Sequence, residues 1–207
     1  MYSTKTATTN NTEFNSAYMP VGINENVTLN AVNVNKSPQG RDYIEFIFTN
    51  TEGQTASFTE WKNEKNMWIK TDEDLQRRDD QQFGRILQVM KCFYTDDLLN
   101  FEGESFVDMI NWVKAKIDQT INSNLPKVNL RLKVVYDKNG YTRVSSLGTF
   151  VEPMSVEQSQ IKLWKNDLTE RPIVADKEPV ADPLAGQDMS DFSTPVTETS
   201  GADDLPF

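Results

Sequence analysis

Residues 43–61 read YIEFIFTNTEGQTASFTEW, two alternating runs around a short polar turn. Successive side chains of an extended chain point to opposite faces, so Ile44, Phe46 and Phe48 share one face of a strand over residues 43–50. Thr51-Glu52-Gly53-Gln54 is turn chemistry, and residues 55–61 return as a second strand with Ala56 and Phe58 inward. Trp61 is out of phase with Phe58 and points away from the core.

Upstream, Val27, Leu29 and Ala31 alternate with Thr28, Asn30 and Val32, predicting a strand over residues 26–35. Ser37-Pro38-Gln39-Gly40 then turns the chain, so three antiparallel strands open the body. The middle is helical. Thr71 or Asp72 caps a helix with an acidic first turn, and Phe83, Ile86, Leu87, Met90 and Phe93 recur at helical spacing, with Gly84 a weak point. Ser105 starts a second helix with Asp108 in the capping-box region; Phe106, Met109, Ile110, Val113, Ile117 and Ile121 form its core stripe, and Pro126 ends it. Residues 128–136 are again extended, with Leu130, Leu132 and Val134 inward and Arg131 and Lys133 outward. Asp137-Lys138-Asn139-Gly140 predicts a hairpin whose Asn-Gly pair suits a type I′ turn, followed by a strand over residues 141–147 that extends toward Phe150. After Glu152-Pro153, residues 156–168 read as a short amphipathic segment.

Three strands, a helical segment and a closing hairpin are the element order of an OB-fold, a five-stranded barrel that binds ligands across strands two and three and the loops joining strands 1–2 and 4–5. The expected fold class is therefore mainly β with an α insert, the helical insertion lying between strands 3 and 4. A sheet with two helices on one face is the alternative. The expected organisation is a flexible N-terminal arm over residues 1–16, the barrel domain over 17–171, and a disordered acidic tail over 172–207.

Composition narrows the chemistry. The chain has 207 residues, no histidine, and Cys92 as its only cysteine. That removes the usual general base, every Ser/His or Cys/His nucleophile, a zinc site and an internal disulfide framework, and it fits a reducing cytoplasm. Cys92 reads as a buried helix residue rather than a reactive thiol. No stretch approaches the ~20 apolar residues that span a bilayer, and the opening MYSTKTATTNNTEF has no signal-peptide character. Net charge is −10, but residues 172–207 hold eight acids and one base, Lys177, leaving −3 on residues 1–171. A binding cleft responds to its local field, so the body is electrostatically free to meet nucleic acid.

Three groups carry the chemistry of single-stranded nucleic-acid binding, which needs stacking platforms interleaved with cations. The first is Trp61, Lys62, Lys65, Trp68 and Lys70; the second is Lys36, Arg41 and Tyr43 around the first turn; the third is Arg131, Lys133, Lys138, Tyr141 and Arg143 on the last hairpin. A tryptophan at the edge of the core, or an ordinary solvated β-surface, is the plain alternative for each. The acid pairs Asp79-Asp80 and Asp96-Asp97 would be the carboxylates of a metal-dependent nuclease, but neighbouring acids on a helix diverge.

The chain closes on Asp203-Asp204-Leu205-Pro206-Phe207, an apolar end with a carboxylate behind two acids. Such an end suits capture by an apolar slot with basic residues around it, and Pro206 lowers the ordering cost. These residues resemble the acidic C-terminal tip of bacterial and phage single-stranded DNA-binding proteins, with Ala202 where a third acid often stands. The long helical insert looks like a divergent, phage-encoded member. The resemblance implies a non-enzymatic, cofactor-free coat on single-stranded DNA in replication, recombination and repair, in the host cytoplasm and without membrane contact. It implies that Asp203, Asp204, Leu205, Pro206 and Phe207 recruit polymerase, primase, helicase or recombinase, and it is compatible with a homo-oligomer. A nuclease, or a replisome adaptor that does not touch DNA, are the rival expectations.

Overall fold

The computed structural model describes residues 17–172 apart from Asn124. The expected arm over residues 1–16 and the acidic tail with its tip lie outside the described residues. Within them the chain is mainly β with two helices: β1 (Gly22–Lys36), β2 (Asp42–Thr49), β3 (Thr55–Trp61), α1 (Asp72–Met90), a 3₁₀ turn (Asp96–Leu98), α2 (Phe106–Ile121), β4 (Leu130–Tyr136), β5 (Thr142–Val144) and β6 (Val151–Pro153). No described helix is long and apolar enough to cross a membrane.

The strands form one open antiparallel sheet of six strands in the order β3-β2-β1-β4-β5, with β6 also paired to β4. β1 is long enough to serve two partners: its first half pairs with β4 and its second with β2. Irregularities between Asn24 and Val27 and between Leu29 and Ala31 bend it, and Asn26 takes a left-handed φ of 55° there. The second bulge also shifts the inward phase. The expected inward set of Val27, Leu29 and Ala31 is corrected to Val27, Leu29 and Val32, because one extra residue moves every later side chain to the opposite face.

Ile44, Phe46 and Phe48 are fully buried, and Ala56 and Phe58 nearly so, as their alternation requires. α1 and α2 start at Thr71 and Ser105, whose hydroxyls accept from the backbone N–H of Asp74 and Asp108 at 3.0 and 3.1 Å. Ile86, Val89 and Met90 of α1 and Met109, Ile110, Val113 and Ile117 of α2 join the core. Phe83, Phe101 and Trp112 extend it as a ring cluster with centroids 5.0–6.4 Å apart. Phe58 meets Phe150 at 4.9 Å, and Cα atoms of β3 and β5 approach within 8 Å.

Three tight turns share one design. Gly40, Gly53 and Gly140 each donate to the carbonyl three residues back (Ser37, Asn50, Asp137) and each has a φ near +80°. In each, the first residue's side-chain oxygen accepts backbone N–H groups of the turn, as Asn50 Oδ1 does from Glu52 and Gln54. Asn139 is not left-handed, so the expected type I′ turn is corrected to a type I turn followed by a left-handed glycine.

The expected fifth strand is divided. Ser145 N–H donates to Lys133 O and Lys133 N–H donates to Phe150 O, so residues 146–149 loop out between β5 and β6. Residues 154–172 contain no regular element and lie over β4, where Tyr136 N–H donates to Leu168 O at 2.8 Å.

Candidate nucleic-acid interface

Tyr43 and Trp61 are direct cross-strand partners of β2 and β3. Their neighbours Ile44 and Glu60 turn inward, which sends both rings outward, with centroids 4.4 Å apart at 35°. Arg41 places its guanidinium carbon 5.8 Å from the Trp61 ring centroid and donates from Nε to Lys62 O at 2.8 Å. Lys62 N–H in turn donates to Asp42 O at 2.9 Å. Four sequence-predicted residues thus lie at one end of the β2–β3 pair: Arg41 against the Trp61 ring, Tyr43 and Trp61 in tilted contact, and the exposed Lys62.

α1 holds this end from beneath. Glu60 is a buried acid on an otherwise apolar face, and Arg85 grips it through Nε and Nη2 while Gln82 Nε2 donates to Glu60 Oε2 at 2.9 Å and to Trp61 O at 2.8 Å. Asn63 Nδ2 adds a bond to Asp79 Oδ1 at 2.9 Å. This clamp was not foreseen in the sequence; its only signal was an acid on the inward phase of a strand, which demands a partner.

The other predicted cations divide sharply. Lys36 pairs with Asp42 at 2.7 Å and Lys65 with Asp72 at 2.6 Å, both with exposed lysines. Exposed pairs contribute ~0–1 kcal/mol, so a phosphate can compete for either lysine. Lys70 is exposed, and so is Trp68, at 82%; the alternative of Trp68 as a cover for the core does not hold. Lys138, Tyr141 and Arg143 are exposed on the β4–β5 hairpin, which lies at the opposite end of the strand order from β3.

Arg131 and Lys133 are corrected. Lys133 is fully enclosed: Nζ donates to Leu147 O at 2.7 Å, Lys162 O at 3.0 Å and Asp167 Oδ2 at 2.9 Å. Arg131 is largely covered and bonds Glu25, Glu152 and the carbonyl of Val156; its bonds to Glu25 and Glu152 raise its pKa above the ordinary value. The outward face of β4 is therefore not a free surface, because residues 146–149 and 154–172 lie over it. Burial would raise the Asp167 pKa, yet the Ser145 hydroxyl, the Trp164 N–H and Lys133 hold it below its ordinary value. Burial likewise opposes ionisation of Glu152, and Ser159, the Gln160 N–H and Arg131 outweigh it.

Among the described residues no three His, Cys, Asp or Glu side chains are grouped to hold a metal ion. Asp79 accepts from Asn63, Asp80 from Gln76, and Asp96 pairs with Lys91, each in a different setting. Burial, with the charge of Glu152, pushes the Cys92 thiol up to about 12. Clefts of about 400 Å³ and 330 Å³ lie beside the helices, and neither is lined by Arg41, Tyr43, Trp61 or Lys62. No protein-family model, curated protein or solved structure matches the chain.

Proposed function

We propose that this protein binds single-stranded DNA without sequence preference, coats it during replication, recombination and repair, and recruits partner enzymes through residues 203–207. The reading rests on one observation above the others: Arg41, Trp61 and Lys62 are exposed together at one end of β2 and β3, with the half-buried Tyr43 ring against Trp61. Every base has a flat π-face and every nucleotide a phosphate, so an aromatic pair beside two cations takes any sequence. Hydrogen-bonded readout of base edges would need polar side chains fixed toward a groove, and an aromatic platform has no such need.

The strand order adds support. β3-β2-β1-β4-β5, with β1 bent between two partners and β3 close to β5, is the order of an OB barrel opened along one seam. In that fold the β2–β3 face with its flanking loops is the ligand surface, and the aromatic cluster sits there. Lys36 on the first turn and Lys138, Tyr141 and Arg143 on the last hairpin extend the proposed track; Arg131 and Lys133 are left out of it.

Titrating the full chain with oligo-dT at low salt tests the reading. Tryptophan fluorescence is quenched, and the apparent affinity falls as salt rises because phosphate contacts release counterions. Trp61→Ala weakens binding by about 5- to 150-fold, the range of one lost base stack. Absence of quenching at low salt overturns the proposal and leaves the adaptor reading in its place; magnesium-dependent cutting of a labelled strand would install the nuclease reading.

A further inference from the structure

The loop between β3 and α1 ends in a tip that the stacking platform does not use. Asn66 and Ile69 exchange backbone hydrogen bonds, N–H to O, at 3.0 and 3.2 Å, closing a tight turn around Met67 and Trp68. The Asn66 side chain reinforces it, with Oδ1 accepting from Trp68 N–H at 2.8 Å and Ile69 N–H at 3.1 Å. Ile69 is buried and anchors the far side, and Thr71 immediately starts α1. On the near side, Gln82 and Asn63 tie the loop to α1.

A braced turn therefore holds two adjacent large apolar side chains in solvent, Met67 at 72% and Trp68 at 82% exposed. A flexible loop would let these groups fold back onto apolar surface, whereas here the backbone is fixed with both pointing away. Lys62, Lys65 and Lys70 lie in the same loop with one acid, Glu64; Asp72, Glu73 and Asp74 open α1 just beyond it, and Lys65 makes an exposed pair with Asp72. An exposed indole with lysines in its own loop suits a flat base face beside phosphates.

Resting on the single-strand reading above, we infer that the Met67–Trp68 turn is a wedge for the junction where a single strand enters a duplex. The last base pair of a duplex presents an exposed flat face on which Trp68 stacks, while Met67 fills the step beside it and the lysines take phosphates of the parting strands. Apolar side chains inserted at base steps unstack them in this way. Trp61 ends β3 where this loop begins, with Tyr43 of β2 paired to it, so the platform and the tip belong to the two ends of one loop. The wedge gives the protein a function beyond coating, namely opening the duplex end it abuts.

Two substrates separate the roles. Fluorescein-labelled oligo-dT reports single-strand binding by anisotropy, and a forked duplex with 2-aminopurine at the last pair reports opening by a rise in fluorescence. Wild type binds oligo-dT and raises the fork signal. Compared at protein concentrations that saturate oligo-dT, Trp68→Ser, and the double variant with Met67→Ser, abolish the fork signal, and Trp68→Phe restores opening. Both sites are exposed, and unchanged circular dichroism checks the fold. If wild type and Trp68→Ser open the fork equally, or if Trp68→Ser loses both substrates in parallel, the wedge is overturned and the single-strand reading stands. If wild type fails to bind oligo-dT, both fall. A blue shift of Trp68 emission on vesicles of anionic phospholipid, with no response to the fork, overturns the wedge in favour of a lipid-facing tip.

Discussion

A lysine ammonium closed off from water needs an acceptor for each of its three protons and a counter-charge, and Lys133 has both in Leu147 O, Lys162 O and Asp167. Removing the charge on Asp167 alone breaks that balance. Asp167→Asn keeps one oxygen, which can accept from the Trp164 N–H at the Oδ2 position while the amide nitrogen faces the Ser145 hydroxyl, but it leaves the ammonium without a counter-charge and should lower unfolding free energy by ~3–5 kcal/mol in a urea titration. The pH dependence has a definite sign. Because the folded-state pKa of Asp167 lies below its ordinary value, its ionisation stabilises the fold fully above the unfolded value of ~3.9, and that contribution disappears as pH falls through the lower folded value. Wild type should therefore lose stability in this acid range more steeply than Asp167→Asn; parallel curves would contradict the assignment. None of this was legible at Lys133 itself. A lysine on the polar phase of a strand reads as solvent-facing, and the irregular residues before and after β6, which carry no periodic signal, convert that position into an interior one.

Helices and strands were the most legible level because each repeats a period over many residues. β2, β3, α1 and α2 begin and end within a few residues of where alternation, capping hydroxyls and turn residues place them. Legibility failed where one residue breaks the period: the bulge in β1 exchanges Ala31 for Val32 on the inner face, and the looped-out residues 146–149 divide the last strand. The aromatic–cation cluster was half legible. Periodicity sent Trp61 outward, but its contact with Tyr43 depends on register, which local sequence does not state. Gly84 offers a test at this scale. It lies exposed inside α1, its backbone is not left-handed, and a Cβ there would meet nothing within 4 Å. Gly84→Ala should therefore stabilise the protein by ~0.5–1 kcal/mol through helix propensity and reduced freedom of the unfolded chain. An unchanged or lower urea midpoint would show that α1 needs a glycine there for some other reason.

At the scale of the whole molecule the proposed DNA binding has to be reconciled with a net charge of −10. Charge segregation reconciles the two: most of the excess lies in residues 172–207, while the cations of the proposed track stand on strand ends, turns and the last hairpin of the near-neutral body. On that proposal, an acidic segment on the same chain as the cations competes with DNA at an effective concentration set by the length between them, without any specific contact. Removing residues 203–207 takes away two acids and the Leu-Pro-Phe end together and should abolish capture by partner enzymes while leaving oligo-dT affinity unchanged or higher. Replacing only Phe207 by Ala separates the two effects, since it removes the apolar anchor and keeps every acid. That variant should lose partner binding in a pull-down and match wild type in anisotropy titrations across a salt series. If Phe207→Ala weakened DNA binding as much as partner binding, the tip would belong to the DNA surface itself, and the division between a coating body and a recruiting end would have to be abandoned.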